Sequence, residues 1–406
     1  MGKNQAIKSF PMHIALFIRF LDGSGGPRFI LNLARSLSDK GHRVDLVLGR
    51  KKGYCLDEIP AGIRTVNLGV RSPFQALGSL TRVHGDAMAL AKMVLAPKSP
   101  RVLGAIPGLA RYLIREQPQV MISALDYSNI TAILARHASR VSTKLILTVH
   151  INLSTKVASN QQSRRISAYP KIARRFYPKS DAIVAVSNGV AKDLANVINL
   201  PFDRITTIYN PVITPELKNL SMEYACDWLS PGAPPVILAV GRLEPAKDFP
   251  TLLRAFARVS RMVKARLIIL GEGKQRVKLL NQAQDLGISD NLSMPGFVNN
   301  PFSYMAKASV FVLSSALEGL PTVLIEALAC GCPVVSTNCP SGPAEILENG
   351  RFGTLVPVGD DAVLAEAIFH CIKNSPDKNI LMARGQEFSI EHATEEYIAL
   401  AKRLCT

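Results

Sequence analysis

Residues 314–347 read SSALEGLPTVLIEALACGCPVVSTNCPSGPAEIL, in which strand-like and helix-like runs alternate. An apolar strand is expected to end at Ser314, and a loop that carries Glu318 follows it. A helix is expected to begin near Pro321, because proline has no amide proton and suits the first helical position. The apolar run 334–336 is the next predicted strand. A strand, a helix and a second strand in this order are typical of a parallel α/β sheet.

The same alternation continues along the 406-residue chain, which is long enough for two domains. The predicted strands are residues 13–18, 44–48, 120–122, 144–149, 182–186, 236–240, 266–270, 310–313 and 334–336. The predicted helices include residues 28–40, 129–139, 249–262, 274–285, 322–329 and 361–373. The proline-rich residues 211–235 show little periodic pattern, so we expect them to connect the two domains.

The overall composition is that of a globular protein. Hydrophobic residues make up 48% of the chain and charged residues 19%, which argues against disorder. The sequence has no apolar run long enough to predict a transmembrane helix. The apolar run 12–18 leads into a glycine loop, which fits a buried first strand better than a signal peptide. None of the seven cysteines forms a CxxC pair, so we expect reduced thiols.

Positive charge is concentrated in the first half of the chain. Residues 1–220 contain 31 Lys and Arg against 12 Asp and Glu, or +19, whereas residues 221–406 contain 17 against 19, or −2. This asymmetry predicts an anionic partner for the first half, either nucleic acid or an acidic membrane surface. The single tryptophan and the lack of interleaved aromatic residues argue against nucleic acid, so we expect no nucleic-acid partner.

Residues 71–115 form a long basic insertion in which Asp86 is the only acidic residue. Its lysines and arginines are interspersed with Leu, Val, Ala, Met and Phe. One interpretation is a pair of basic amphipathic helices that lie on a bilayer surface. The other is a set of surface helices whose basic face is simply solvated. We favour the membrane interpretation.

The loop and helix near Pro321 predict an anion site. The free amides and the positive end of this helix should face the carboxyl end of the sheet, where a diphosphate could bind. Glu318 precedes the helix and Glu326 lies within it. Carboxylates accept hydrogen bonds from hydroxyl groups, so a ribose on one side and a sugar on the other would account for both. The alternative is that Glu318 and Glu326 are an ordinary loop charge and an exposed helical residue.

A second candidate segment is AVGRLEPAKDFPTLLRAF, residues 239–256. Gly241 and Arg242 follow a predicted strand, and Lys247 comes five residues after Arg242. A guanidinium fork and an ammonium group at the carboxyl end of a strand suit a departing diphosphate. A pair of charges that merely flank a helix is the alternative for either residue alone.

A glycine loop and a histidine complete the set of candidates. Gly23, Gly25 and Gly26 lie between the first strand and the first helix, where the backbone can approach a phosphate or a sugar closely. An NAD site would also need an acidic residue at the end of the second strand, but basic residues 50–52 stand there, which leaves only an NADP-type site open. His150 ends another predicted strand and should face the same cleft.

At these residues the chain resembles the retaining glycosyltransferases of family 4, which have the GT-B architecture of two facing Rossmann-like domains. The resemblance covers nearly the whole chain. It rests on the order of the GG loop followed by NLARSLSDKGHRVDLV, then TVH, AVSNGVAKDL, IYNPV, GRLEPAKDF, LGEG, EGLPTVLIEAL and SGPAEIL. The resemblance implies an acceptor-binding domain at residues 1–213, a nucleotide-sugar-binding domain at residues 214–388, and a last helix within residues 389–406 that crosses back to the first domain.

The resemblance also implies roles for individual residues. Arg242 and Lys247 are expected to bind the donor diphosphate, and Glu326 the ribose. Glu318 and His150 are expected to contact the transferred sugar, so the implied catalytic set is Glu318, His150, Arg242 and Lys247. The other implied donor contacts are Gly25, Gly26, Gly241, Gly296, Phe297, Val298, Leu320, Pro321, Thr322 and Val323.

The subgroup that the motifs resemble extends lipid-linked glycans for envelope polymers. It implies a hexose or N-acetylhexosamine donor, with UDP as the favoured nucleotide, and a lipid-linked or polysaccharide acceptor at the cytoplasmic face of the inner membrane. The sequence has no Asp-x-Asp triplet, so we expect neither a metal nor a cofactor besides the donor. The alternative function is a non-catalytic nucleotide-sugar-binding or scaffold protein.

The chain departs from the family pattern in two segments. Pro27 and Arg28 stand where Ala and Glu commonly follow the glycine pair, and Ile151 stands where Asn commonly follows His150, with Asn152 one residue later. Both departures are expected to lie on the acceptor side and to leave the donor chemistry intact.

Overall fold

The structure is a computed structural model that describes residues 11–21, 25–53, 55–159 and 162–406. The first half forms a seven-stranded parallel sheet of order β3-β2-β1-β4-β5-β6-β7. Its strands are β1 His13–Ile18, β2 Arg43–Leu48, β3 Arg64–Asn67, β4 Val120–Ala124, β5 Lys144–Val149, β6 Ala182–Ala185 and β7 Ile205–Thr207.

The second half forms a six-stranded parallel sheet of order β10-β9-β8-β11-β12-β13. Its strands are β8 Val236–Val240, β9 Arg266–Leu270, β10 Leu292–Gly296, β11 Val310–Leu313, β12 Val334–Thr337 and β13 Thr354–Val356. Two parallel sheets with helical crossovers make two Rossmann-like domains, as the sequence predicts.

Helices cover both faces of each sheet. The α-helices of the first half are α1 Gly25–Asp39, α2 Ala87–Leu95, α3 Ile106–Glu116, α4 Asp126–Ser139, α5 Leu153–Ala158, α6 Arg164–Phe176 and α7 Asn188–Ile198. Those of the second half are α8 Leu217–Met222, α9 Phe249–Met262, α10 Arg276–Asp285, α11 Phe302–Met305, α12 Thr322–Ala329, α13 Pro343–Ile346, α14 Asp361–Lys373, α15 Lys378–Gln386 and α16 Ile390–Cys405. Short 3₁₀ helices span Pro73–Arg82, Arg101–Ala105, Tyr177–Lys179, Phe202–Arg204, Asp227–Leu229, Pro245–Lys247, Ser289–Asn291 and Glu348–Gly350.

All nine predicted strands are present, and the four strands that the sequence analysis missed are β3, β7, β10 and β13. These four are the outer strands of the two sheets. Their sequences, RTVN, ITT, LSMPG and TLV, are short or polar because an outer strand has only one neighbour and is less buried. The inner strands read as continuous apolar runs because helices cover both of their faces.

The last helix, α16, packs against the first domain. Its side chains Tyr397 and Leu400 belong to the same apolar cluster as Phe29 and Leu33 of α1. The rings of Phe29 and Tyr397 lie 5.8 Å apart. The chain therefore crosses between the sheets twice, and the crossings meet where the amides of Val212 and Ile213 each donate to the Phe388 carbonyl at 3.1 Å.

The basic insertion contains two helices, as expected, and their contact with a bilayer stays a prediction. Residues 71–115 form two 3₁₀ segments as well as α2 and α3. The apolar sides of α2 and α3 are buried in the core of the first domain, with Leu90 and Leu109 fully enclosed. These sides pack onto the protein itself because α3 is part of the crossover between β3 and β4. Asp86 is also buried and accepts hydrogen bonds from Arg175 and Lys179.

Candidate functional site

The carboxyl ends of β8 and β11 bring Lys247 and Glu318 into direct contact. The Lys247 Nζ donates to Glu318 Oε1 at 2.6 Å, and the Ser315 hydroxyl donates to the same oxygen at 2.7 Å. The Ser314 hydroxyl donates to the Lys247 carbonyl at 2.8 Å and thereby fastens the two loops together. Glu318 Oε2 has no hydrogen-bond partner within the described ranges, so this oxygen remains available to a ligand hydroxyl.

Arg242 does not join this pair. Its guanidinium donates to Glu244 Oε1 at 3.0 Å, and its side chain is 66% exposed. Gly241, which precedes it, lies under the Lys247 side chain, whose carbons would be 3.3–3.5 Å from a Cβ at this position. Arg242 therefore stands at the rim of the site, where it can exchange Glu244 for a phosphate.

Helix α12 presents an open amino end beside Lys247 and Glu318. Pro321 is the N-cap and not the first helical residue, and no side chain caps the helix. Leu320 and Pro321 are buried, whereas Thr322 and Val323 are partly accessible. The first amides of a helix attract anions, so this end of α12 offers donors for a phosphate.

Glu326 is a buried carboxyl one turn into α12. Glu326 is only 7% exposed, and its carboxyl group forms no hydrogen bond and no ion pair with any described residue. Burial raises the pKa of Glu326, and the positive charge of Arg28 acts in the opposite direction. Buried carboxylates are normally paired, because leaving one without partners costs several kcal/mol. An unpartnered carboxyl in a cleft is therefore expected to bind ligand hydroxyls.

Arg28 lies in the first turn of α1, and its positive charge opposes the rise in the pKa of Glu326 that burial causes. The assignment of its departure from the family pattern to the acceptor side stays a prediction. Gly25, in the same first turn of α1, has nothing within 4 Å of the position of a Cβ, so its backbone is open to a ligand. Gly26 instead packs on Leu125, which a Cβ would approach to 2.9 Å. Gly23 lies outside the described residues.

The carboxyl end of β10 lies at the same edge of the second sheet, on the side away from β11. Gly296 has a positive φ of 93°, and a Cβ there would lie 2.8 Å from Glu272 Oε1. Phe297 is 67% exposed, and Val298 packs on the core. The ring of Phe297 is therefore accessible for stacking at the end of the sheet that lies beyond β8 and β9.

His150 follows β5 of the first domain. Its Nε2 lies 2.8 Å from Thr148 Oγ1, and the Thr148 hydroxyl donates to the Ser123 carbonyl at 3.0 Å. Since the single hydroxyl proton is used in that bond, His150 Nε2 carries a proton and donates, and Nδ1 remains an acceptor in the neutral ring. The rings of Phe29 and His150 pack in a T-shaped arrangement with their centroids 4.7 Å apart, and burial lowers the pKa of His150 to about 4.

The lowered pKa of His150 predicts a pH dependence of stability. The pKa of a histidine in an unfolded chain is about 6.5, whereas that of folded His150 is about 4. Between these two pH values the unfolded chain therefore binds more protons than the folded protein. The wild type should therefore lose stability relative to His150→Asn as the pH falls through this window. Urea unfolding of both proteins at several pH values measures the difference, and parallel stability curves would contradict the predicted ring state.

Close backbone contact joins the two domains beside the site. A Cβ on Gly319 would lie 2.1 Å from the His150 carbonyl oxygen, which explains the glycine after Glu318. The Ser187 hydroxyl donates to the Gly319 carbonyl at 2.8 Å, and Asn152 donates to the Ser341 hydroxyl at 3.1 Å. Ser187, Gly319 and Ser341 lie in the motifs AVSNGVAKDL, EGLPTVLIEAL and SGPAEIL, but no local pattern in these motifs indicates contacts between the domains.

Glu345 forms the strongest of these contacts. Its carboxylate accepts from the amides of Asn188 and Gly189 at 2.8 and 2.7 Å, at the amino end of α7 in the other domain. The Tyr209 hydroxyl also donates to it at 3.3 Å, and burial together with Glu345 raises the pKa of Tyr209 to about 12. A carboxylate at a helix amino end stabilises the helix, so Glu345 holds the domains together.

Glu345→Ala is expected to weaken the contact between the domains. Charge-assisted hydrogen bonds contribute about 1.5–3 kcal/mol each when buried, and less at this partly exposed interface. The variant should therefore have a lower unfolding temperature and a larger radius of gyration in X-ray scattering. Glu366→Ala, which removes an exposed carboxylate of α14, is the matched control. Equal radii for all three proteins would show that Glu345 does not hold the cleft closed.

Comparison with known proteins identifies the family. The model described as "Glycosyltransferase Family 4" matches residues 23–215, and that described as "Glycosyl transferases group 1" matches residues 224–388. The chain is similar to N-acetylgalactosamine-N,N'-diacetylbacillosaminyl-diphospho-undecaprenol 4-alpha-N-acetylgalactosaminyltransferase of Campylobacter jejuni. The two are 32% identical over 237 residues, and the alignment covers 58% of this chain and 62% of that protein. The chain is also 35% identical over 176 residues to lipopolysaccharide core biosynthesis glycosyltransferase LpsE of Rhizobium meliloti. This alignment covers 42% of this chain and 51% of that protein. The matches thus span only about half to three fifths of these relatives.

Solved structures agree in fold. The crystal structure of HepE from Anabaena in complex with UDP and glucose superposes with a TM-score of 0.73 at 18% identity, covering 97% of this chain and 100% of that one. Since the two family models together span both domains, the chain belongs to the glycosyltransferases of the family-4 type with the GT-B fold.

Proposed function

We propose that the chain transfers a hexose or N-acetylhexosamine, with retention, from a nucleotide sugar to a lipid-linked or polysaccharide acceptor in envelope glycan synthesis. The observation that carries the proposal is the edge of the second sheet. It combines the Lys247–Glu318 pair, the open end of α12 and the unpartnered Glu326, and it faces His150 across the cleft. Cationic side chains and free helix amides are suited to bind a diphosphate, and carboxylates are suited to bind hydroxyl groups.

The proposed donor pose follows from this arrangement. The diphosphate lies between Lys247 and the first amides of α12, with Arg242 turning in from the rim. Glu326 binds the ribose, and Phe297 packs on the nucleobase. UDP is the favoured nucleotide, and the UDP complex of the related fold supports that choice. The transferred sugar then points toward His150 and Glu318 Oε2. The neutral Nδ1 of His150 accepts a hydrogen bond from a sugar hydroxyl.

The proposed reaction breaks the bond between the anomeric carbon and the leaving phosphate oxygen. Negative charge develops on the diphosphate, where Lys247, Arg242 and the α12 amides stabilise it. The acceptor hydroxyl attacks the anomeric carbon from the same face and passes its proton to the departing phosphate. Closure of the two domains around the donor would exclude water, which would otherwise hydrolyse the donor. These residues supply the charge stabilisation without a metal.

The proposed acceptor lies at a membrane. The Campylobacter relative is named for an acceptor attached to diphospho-undecaprenol. Within the described ranges no helix is both long and apolar enough to cross a bilayer. The exposed apolar side chains Phe74, Met88 and Leu95 all belong to the basic insertion, and they would insert among lipids while neighbouring cations meet anionic headgroups. We therefore propose peripheral binding at the cytoplasmic face of the inner membrane.

A donor panel tests the proposal. Thermal shifts and slow nucleotide release are measured with UDP-, GDP-, ADP- and dTDP-sugars in the presence of a chelator, on wild type and Glu326→Ala. A shift and release with one donor, both lost in the variant, are expected. Donor binding without release or transfer to any lipid-linked acceptor would favour the non-catalytic alternative. No response to any donor would refute the proposed donor site.

A further inference from the structure

A basic cavity opens at the carboxyl edge of the first sheet, apart from the residues described above. Its volume is about 760 Å³. Its lining comes from the ends of β1 and β2, from the segment between α2 and α3, and from α6. Among the described residues, its lining contains no Asp or Glu and six Lys and Arg side chains, which are Arg19, Arg50, Lys52, Lys98, Arg101 and Arg165.

Several basic residues elsewhere in the first domain are paired with carboxylates. For example, Arg43 and Arg64 converge on Glu116, and Lys179 bonds Asp86. Among the described residues, no ion pair forms at any of five cavity cations, which are Arg50, Lys52, Lys98, Arg101 and Arg165. Like charges gathered in a concave surface repel each other and focus a positive potential, so an anionic ligand would stabilise them.

The wall between the ends of β1 and β2 is rigid before any ligand binds. The Gly49 amide donates to the Ile18 carbonyl and the Arg50 amide to the Arg19 carbonyl, both at 3.0 Å. A Cβ on Gly49 would lie 3.0 Å from the Arg19 carbonyl oxygen, so glycine permits the close approach of the two loops. A preformed wall reduces the entropy lost on binding.

The cavity lies on the same sheet edge as His150. In the order β2-β1-β4-β5, three strand spacings separate the end of β2 from the end of β5. Neighbouring strands lie about 4.8 Å apart, so the cavity is roughly 14 Å from the proposed position of the transferred sugar. A short glycan could reach from one to the other while its anionic end stays in the cavity.

We propose that this cavity binds the diphosphate of a lipid-linked acceptor. Arginine forks form paired hydrogen bonds with phosphate oxygens, and lysines add compact charges. A diphosphate carries enough charge to engage several of them at once. The cavity thus fixes the reducing end of the acceptor and presents the terminal sugar to the transfer site. The inference rests on the proposed function for the acceptor, but the binding of the diphosphate itself can be measured without transfer.

Binding of inorganic pyrophosphate is the first measurement. Calorimetry compares wild type with Arg50→Ser/Arg101→Ser and with Lys247→Ala in the donor site. The control is Lys192→Ser/Arg204→Ser, which removes equal charge from exposed positions outside both the cavity and the basic insertion. A loss of about tenfold or more in the cavity variant is expected, since each charge-assisted contact is worth at least about that factor. Pyrophosphate binding that disappears in Lys247→Ala and persists in the cavity variant would place the anion in the donor site and overturn the proposal.

Vesicles distinguish a lipid diphosphate from a free one. Cosedimentation is measured with phosphatidylcholine vesicles that contain either a polyprenyl diphosphate or phosphatidylglycerol. The cavity variant should lose recruitment by polyprenyl diphosphate, whereas Lys192→Ser/Arg204→Ser should retain it. Equal losses in both variants would assign the effect to general charge, and pyrophosphate binding without recruitment would exclude the lipid-linked ligand. The donor-induced thermal shift of the same variants reports separately on the proposed donor site.

Discussion

Lys247→Ala is expected to lower the rate of sugar transfer by about 10²–10³-fold, because it removes a cation from the position where the leaving diphosphate gains charge. The Nζ of Lys247 is held 2.6 Å from Glu318, so it is already oriented before the donor arrives. Its removal also leaves the Glu318 carboxylate facing the diphosphate with only the Ser315 hydroxyl as a partner. The donor should therefore bind more weakly as well as react more slowly.

The fold is expected to survive this substitution. The Lys247 side chain remains 22% exposed, and a partly exposed ion pair contributes about 1 kcal/mol or less to stability. Lys278→Ala, which removes an exposed lysine of α10, is the matched control and should keep full activity. Single-turnover transfer separates the chemical step from donor binding. A transfer rate in Lys247→Ala within a few-fold of wild type, at saturating donor, would exclude Lys247 from stabilising the leaving group.

Lys247→Ala/Glu318→Gln tests whether the two residues act as a unit. If Lys247 mainly neutralises Glu318, then removing both charges should restore part of the donor binding that the single variant loses. If each residue contacts its own part of the donor, the losses should add. A double-variant cycle on donor affinity distinguishes the two cases.

The sequence predicted the central strands well, and the reason lies in their burial. Strand β8 reads VILAV and β11 reads VFVL, because helices cover both faces of each sheet. The helix after β11 was also predictable, since Pro321 marks its start. The outer strands could not be predicted in the same way. For example, β3 reads RTVN, which is no more apolar than many loops.

The site was predictable where one segment carried both the strand end and its polar residue, as with Lys247 and Glu318. The sequence could not predict contacts that depend on how the two domains meet. The pairing of Glu345 with the amides of α7 joins residues 156 and 157 positions apart, and no local pattern signals it. The hydrogen bond from the Ser187 hydroxyl to the Gly319 carbonyl belongs to the same class.

Glu326→Gln is expected to weaken donor binding by about 10–100-fold. The carboxylate can accept two strong hydrogen bonds from ribose hydroxyls, whereas the amide keeps only one neutral acceptor. Hydrogen bonds to charged groups contribute about 1.5–3 kcal/mol, and about 1.4 kcal/mol corresponds to tenfold in affinity. Donor titration of wild type, Glu326→Gln and the exposed control Glu366→Gln measures the effect. Wild-type affinity in Glu326→Gln would refute the assigned contact.

The same substitution should make the ligand-free protein more stable at neutral pH. Burial raises the pKa of Glu326, so the folded protein binds the proton more tightly than the unfolded chain and loses stability as the pH rises above the unfolded value. Gln has no such loss. The stability gain of Glu326→Gln should therefore be full above the raised pKa of Glu326 and should disappear as the pH falls from that pKa to the value of the unfolded chain. Saturating donor should favour the wild type again, because a ligand that binds only the folded state stabilises it. If Glu326 serves to bind the donor, Glu326→Gln should be more stable than the wild type but should bind the donor more weakly. If Glu326 were purely structural, replacing it would make the protein less stable.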